Sequence, residues 1–207
     1  MAVETEHFLR EAATLAREHG ESLVRVAYES IDHGLEHRTA LAVDPRNYAP
    51  ELVADGASFV TLRRKGALLG CIGHVKAFRP LVVDVANNAF AAANHDNRFS
   101  PVSRDDRRAL AVSVTLIGPH AAIDFADEDD LAAQLRVGED GLIIENGGRR
   151  AVFLPQVWSA IPEPKRFLSQ LKLKTGLAAD DWHAGFSAWR FAAQCISSDP
   201  VTTEPDR

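Results

Sequence analysis

Cysteine, methionine and tyrosine are scarce in this chain of 207 residues, at two, one and two copies, and the other absences are as informative. Two cysteines, Cys71 and Cys195, allow at most one disulfide and no disulfide framework. No apolar stretch approaches the ~20 residues needed to cross a bilayer. The opening residues carry Glu4, Glu6 and Glu11 and no apolar core, so they do not read as a signal peptide. The expectation is a cytoplasmic protein with both thiols reduced. C-x-x-C, H-E-x-x-H, the Walker loop and G-x-S-x-G are all missing, and with them the usual routes to a named reaction or cofactor. His33 and His37 stand four apart and could present two metal ligands on one helix face, but no third ligand follows nearby, so no metal site is expected. The identity of any cofactor stays open.

Positive charge is in deficit too. The formal net charge is −6, and an acidic body is repelled by nucleic acid and by anionic membrane. The basic pairs (Arg63-Arg64-Lys65, Arg107-Arg108, Arg149-Arg150) are scattered, with no aromatic residues between them, and read as solvated surface. Neither nucleic acid nor membrane is expected as a partner. What is present is ordinary for a globular protein: 46% apolar and 25% charged residues. A chain of this length hides roughly 70% of its extended surface on folding and needs no metal or disulfide staple.

Periodicity then supplies the elements. Two helices open the chain, at about 5–18 and 21–37, parted near Gly20; Leu23, Val26, Ala27, Ile31 and Leu35 line the second. Residues 39–56 read as a surface loop. Strands at 58–63 and 67–75 pair across Lys65-Gly66. Pro80 suits the first turn of a helix reaching His95, apolar nearly all round, with a narrow polar strip of Asp84, Asn87, Asn88, Ala91 and His95. Residues 109–117 alternate: Leu110, Val112, Val114 and Leu116 face one way, Ser113 and Thr115 the other, as in an antiparallel strand. Asp127 caps a short helix to 135. Asn146-Gly147 turns a hairpin of 142–145 and 149–154. A helix at 162–174 stops at Gly176, and 186–196 forms a last strand. The fold class is α+β: a mixed or antiparallel sheet flanked by helices in two intimately packed lobes.

Several motifs occur in one order. Val60-Thr61-Leu62 precedes Leu68-Leu69-Gly70-Cys71-Ile72-Gly73. Arg79-Pro80-Leu81 follows, then Asp96, Arg98, Phe99 and Pro101, then Ser113-Val114. Asp140-Gly141-Leu142-Ile143-Ile144, Leu154-Pro155-Gln156-Val157, Phe167-Leu168, Lys174 with Gly176-Leu177, and Trp182 complete the series. On these residues the chain resembles the AMMECR-type domain family, also called AmmeMemoRadiSam system protein A, whose signature is L-R-G-C-I-G. The resemblance covers the family domain (20–196), which leaves an N-terminal helical extension (1–19) and a tail (197–207) whose two prolines and lack of apolar periodicity read as flexible. It implies partners of the Memo type, which look like non-haem iron dioxygenases, and radical-SAM proteins, in a shared redox or modification pathway; it names no substrate. Two positions depart from the family: Leu69 replaces the signature arginine, and Lys172 stands where many relatives carry a cysteine.

Cys71 is the candidate catalytic residue, with Gly70, Gly73, His74, Arg98 and Asn88 as candidate ligand-binding residues around a cleft that would take a small molecule. A reactive thiol needs a neighbouring cation or helix N-terminus to favour its thiolate. In a regular strand Leu69, Cys71 and Gly73 share a face, so the family's arginine would lie beside the thiol, and Leu69 removes it. The remaining sources are His74, Arg79, Arg98 and the N-terminus of the Pro80 helix. Arg98 leaves the far end of that helix, roughly 22 Å away at 1.5 Å per residue. Against this stands the packing reading, in which Cys71 is a small buried residue between glycines that admit a bulge or a close backbone approach. Asp96 and Arg98 either lock a corner or offer a planar fork to an anionic ligand. Whether the chain is an enzyme or a non-catalytic binding module stays open between these two readings.

Overall fold

The computed structural model describes residues 2–182 and 185–198, with side chains from residue 5 onward. The chain divides into two compact units, Arg10–Ile117 with the strand that begins near Gln194, and Gly118–Ala193, with which the first residues as far as Leu9 are grouped. Residues 199–207, and with them most of the expected tail, lie outside the described residues.

The opening helix α1 (Ala2–His37), which enters the first unit at Arg10, is continuous, correcting the expected break at Gly20. Glycine inside a helix is locally unfavourable by about 1 kcal/mol relative to alanine, but a Cβ at Gly20 would come within 3.0 Å of Ile196 Cγ2. Gly34 likewise makes room for the Phe90 ring. The apolar face foreseen from spacing is buried at Leu23, Val26, Ala27 and Ile31. The expected loop 39–56 contains a 3-10 turn (Pro45–Asn47) and a short helix α2 (Pro50–Val53), and Leu52 is fully in the core.

Strands β1 (Ser58–Arg64), β2 (Ala67–Gly73), β3 (Leu110–Ile117) and β8 (Ala193–Ser197) form one sheet in the order β2-β1-β3-β8. Lys65 and Gly66 both take positive φ, 51° and 83°, the twist-matched turn of a two-residue hairpin. On one face Val60 and Leu62 pair with Val114 and Val112. These residues are buried, and helix α3 (Leu81–Asn94) packs against β1 and β2. Burying each such aliphatic side chain contributes roughly 1.5–3 kcal/mol. A short helix α4 (Arg104–Arg107), closed by a Ser103–Asp106 capping box, leads into β3.

The second unit holds β4 (Ala121–Ile123), β5 (Gly141–Asn146), β6 (Arg149–Phe153) and β7 (Ser187–Phe191) in the order β4-β7-β5-β6. Helices α5 (Glu128–Gln134), capped by Asp127, and α6 (Pro164–Thr175), ended by left-handed Gly176, flank its core. Trp158 stacks on Phe167 at 3.7 Å within that core. The β5–β6 turn is Gly147-Gly148, with Asn146 pairing Arg149, one residue later than the Asn-Gly pair suggested. The expected last strand is in fact two, β7 and β8, with Ala192 between them and one in each sheet. No helix among the described residues is long and apolar enough to cross a membrane.

Candidate functional site

The signature strand β2 is an edge strand, and its register explains each of its residues. Thr61 pairs with Cys71 and Leu62 with Gly70, but Arg63 pairs with Leu68. Leu69 is therefore the extra residue of a β-bulge. A bulge breaks the two-residue alternation of side chains, so the expectation that Leu69 and Cys71 share a face, drawn for a regular strand, does not hold. Gly70 lies against α3, where a Cβ would collide with the carbonyl oxygen of Ala92. A Cβ on Gly73 would collide with Ser58 O and the Phe59 ring. Both glycines are required by close approach.

Cys71 is a free, half-buried thiol on the sheet face opposite α3. The Thr61 hydroxyl donates to its Sγ at 3.2 Å. Across β1, Thr61 is in register with Ser113 of β3, so thiol and hydroxyls form a row over three strands. Cys195 of β8, also free, bonds with Thr115 and Ser113, and loss of solvation raises its pKa above the usual 9.0 against the pull of those hydroxyls. With β1 and β3 between β2 and β8, three spacings of about 4.8 Å separate the two cysteine strands, too far for a disulfide.

An edge strand leaves outward amide and carbonyl groups without partners. At Cys71 two side chains fill that role. Its N–H donates to Asp96 Oδ2 at 2.8 Å, and its carbonyl accepts from Arg98 Nη2 at 3.2 Å. The guanidinium meets the same carboxylate in a fork, Nε to Oδ1 at 2.9 Å and Nη2 to Oδ2 at 2.7 Å. Asp96 is buried, its side chain 3% exposed against 54% for Arg98. The fork, with help from the Cys71 and Arg98 amides, lowers the Asp96 pKa from 3.8 to about 2 despite burial. The Arg98 pKa is raised above the ordinary arginine range, mainly by its hydrogen bonds to Asp96, against the loss of solvation.

The structure thus brings Cys71, Gly70 and Arg98 together and corrects the expected geometry of α3. Ala92 and Asp96, at the C-terminal end of that helix, stand beside Gly70 and Cys71. Its N-terminal turn lies by Ser58 instead, whose N–H and hydroxyl donate to Asp84. The helix runs opposite to β2, so Arg98 has no 22 Å to cross and the helix N-terminus does not face the thiol.

Asn88 is not at the thiol. It is 1% exposed and donates to Ser58 O, Ser58 Oγ and Asp84 Oδ2 at 2.8–3.1 Å. Asp84, fully buried, also receives Arg79 Nε at 2.8 Å. The expected polar strip of α3 is therefore half a core network, foreshadowed by an Asp and an Asn four apart in an apolar helix. Asn87, partly exposed and bonded to Val83 O, partly exposed Ala91 and exposed His95 match a solvent strip. His74 is exposed beyond Gly73; its N–H donates to Ser58 O and its ring meets Phe78 edge-on at 5.3 Å. The His33 and His37 rings lie 4.4 Å apart, tilted at 46°, and among the described residues no group of three His, Cys, Asp or Glu is arranged for a metal.

The AMMECR1 family model matches residues 24–196. A protein of Thermofilum pendens is 34% identical over 194 residues, covering 87% of this chain and 90% of its own length. One from Methanothermobacter thermautotrophicus is 33% identical over 193 residues, covering 90% and 98%. The crystal structure of an uncharacterized protein from Pyrococcus horikoshii superposes with a TM-score of 0.81 at 30% identity, covering 91% of this chain and 98% of that one.

Proposed function

The chain belongs to the AMMECR1 family, and from the geometry of its signature strand we propose that it is an enzyme, or an enzyme subunit, with Cys71 as the reacting group. In this reading it acts in the cytoplasm on a small molecule or a protein, with Memo-type and radical-SAM proteins as partners in a redox or modification pathway. One observation carries the proposal: a half-buried thiol bonded to the Thr61 hydroxyl at 3.2 Å, with a fixed guanidinium bonded to its own carbonyl. A cation held near a thiol favours its anion, the form that attacks. Arg98 brings a positive charge to the Cys71 backbone from a loop.

The test is reaction of the native protein with iodoacetamide at pH 7, followed at the Cys71 peptide by mass spectrometry. Cys71 is expected to react faster in the folded protein than in the urea-unfolded chain, as a thiol positioned for attack requires. Reaction no faster than after unfolding in urea would remove the reacting group from the proposal.

A second reading, a non-catalytic binding or scaffold module for the same partners, also has an observation behind it. Asp96 and Arg98 each make one hydrogen bond to the backbone of one edge-strand residue, to its N–H and its carbonyl, which is what edge protection alone would require. An inert Cys71 would favour this reading.

A further inference from the structure

We infer that the sheet face carrying Cys71, Thr61 and Ser113 binds a small organic anion bearing hydroxyl groups, with its charged group at Arg98 and its polar body on the two hydroxyls. The inference rests on that face being the functional site, and three observations support it.

The first is the charge distribution. Residues 56–83, which include both strands of the hairpin, contain no Asp or Glu but hold Arg63, Arg64, Lys65, Lys76 and Arg79, within a chain whose net charge is −6. Arg64 and Arg79 are neutralised, by Asp106 and Asp84. Arg63 shares the Thr61 side of β1, and its guanidinium donates to Gly66 O. A hairpin without acids in an acidic protein favours anions locally, the carboxylate beside Cys71 being that of Asp96, paired with Arg98.

The second is the state of Arg98. Three of its five N–H donors are directed at Asp96 and the Cys71 carbonyl. The Nη1 pair has no acceptor among the described residues, and the side chain is 54% exposed. Asp96 fixes the guanidinium plane before a ligand arrives, so little side-chain entropy remains to be lost on binding.

The third is the polar row. Thr61 and Ser113 are adjacent in register beside Cys71, where a β-sheet interior would place aliphatic residues. With their protons directed at Cys71 and Cys195, these hydroxyls keep free lone pairs that accept from a ligand's hydroxyl groups, and a keto oxygen would have to displace those bonds. In the next row Gly73 pairs with Phe59, whose ring would pack against the ligand's carbon frame.

The experiment compares reagents of one size and two charges. Iodoacetate and iodoacetamide are each reacted with Cys71, and the ratio of rates is compared with that of the urea-unfolded chain. A steering charge predicts roughly tenfold preference for the anionic reagent in the folded protein, lost in Arg98→Gln and partly kept in Arg98→Lys. Binding is measured separately by calorimetry with 3-phosphoglycerate, inorganic phosphate and glycerol. The expected order is 3-phosphoglycerate tighter than phosphate, with no binding of glycerol. Thr61→Val with Ser113→Ala should erase the advantage of 3-phosphoglycerate over phosphate while leaving phosphate binding intact. Circular dichroism establishes that each variant is folded. A rate ratio equal to that of the unfolded chain, together with no calorimetric binding of either anion, overturns the inference. Anion binding beside an inert Cys71 would sink the enzyme proposal alone, and a fast thiol without anion binding would sink this inference alone.

Discussion

Asp96→Asn is the sharpest perturbation of the clamp on β2. The substitution keeps the shape and one carbonyl oxygen but removes the charge, and its amide must present either N–H donors to the Arg98 fork or nothing to the Cys71 amide. The size of the effect follows from proton linkage. Lowering a carboxyl pKa from 3.8 to about 2 corresponds to about 2 kcal/mol of folding stability at neutral pH. Asp96 is buried, so solvent screening takes little from this figure. Arg98 is half exposed, and its own shift is left out because water would replace its partner cheaply.

The sign fixes the pH window. The folded pKa lies below the unfolded one, so the stabilisation is complete above about pH 4 and drains away as pH falls toward 2, with about half gone by pH 3. Urea unfolding of wild type and Asp96→Asn at pH 7, 5 and 3 measures the difference directly. The expected loss is about 2 kcal/mol at pH 7 and pH 5, and about half that at pH 3. A loss under about 0.5 kcal/mol at pH 7, the scale of an exposed ion pair, or one that does not shrink on acidification, would refute the claim that this carboxylate is held charged by its clamp.

Two further predictions concern packing. Gly70→Ala should lower stability by about 1–3 kcal/mol, the range for overpacking, because its Cβ meets the backbone oxygen of Ala92; a melting temperature equal to wild type would show that α3 can move aside. At Lys172, 0% exposed and paired with Glu128 at 2.7 Å, Lys172→Met should be neutral or stabilising, whereas Glu128→Gln leaves a buried cation and should cost about 3 kcal/mol. Denaturant titration giving the reverse order would refute that account.

The sequence made local features plain and left directions hidden. Lys65-Gly66, the Asp127 cap and Gly176 declare themselves because a turn or cap depends on a few adjacent residues. Gly20 misled for the complementary reason: its local cost is visible in sequence, but the Ile196 side chain pressing on it is more than 170 positions away. The run at 186–196 gave no sign of its division at Ala192, because β7 and β8 are both short, apolar and continuous in sequence. At the site, the motif residues were legible one by one. That α3 runs opposite to β2 was not, and this single direction decides that Arg98 and not the helix N-terminus reaches Cys71. The bulge at Leu69 was likewise hidden, since one extra residue leaves no mark on composition.

The hexapeptide strand and the Asp96-to-Phe99 run, separate in sequence, make one structural unit: an edge strand and the side chains that stand in for its missing neighbour. The strand needs Gly70 because α3 approaches it, and it needs Asp96 and Arg98 together because one caps the Cys71 amide and the other its carbonyl. Both caps act on the peptide of residue 71 and would serve any side chain there equally well. A thiol at that position, bonded to the Thr61 hydroxyl and in line with Ser113, is therefore not accounted for by edge protection. Valine in place of Cys71 and Thr61 would fill the same half-buried space and suit a strand better. That surplus of polar chemistry over what the sheet requires favours the enzyme reading over the scaffold, and the two separate in one variant. Cys71→Val should preserve the clamp, and so the stability and its acid dependence, while removing any activity that depends on the thiol. A Cys71→Val protein that unfolds more easily by 2 kcal/mol or more, at the upper end of what loss of a buried hydrogen-bond partner costs, would mean that the thiol is part of the structural unit after all.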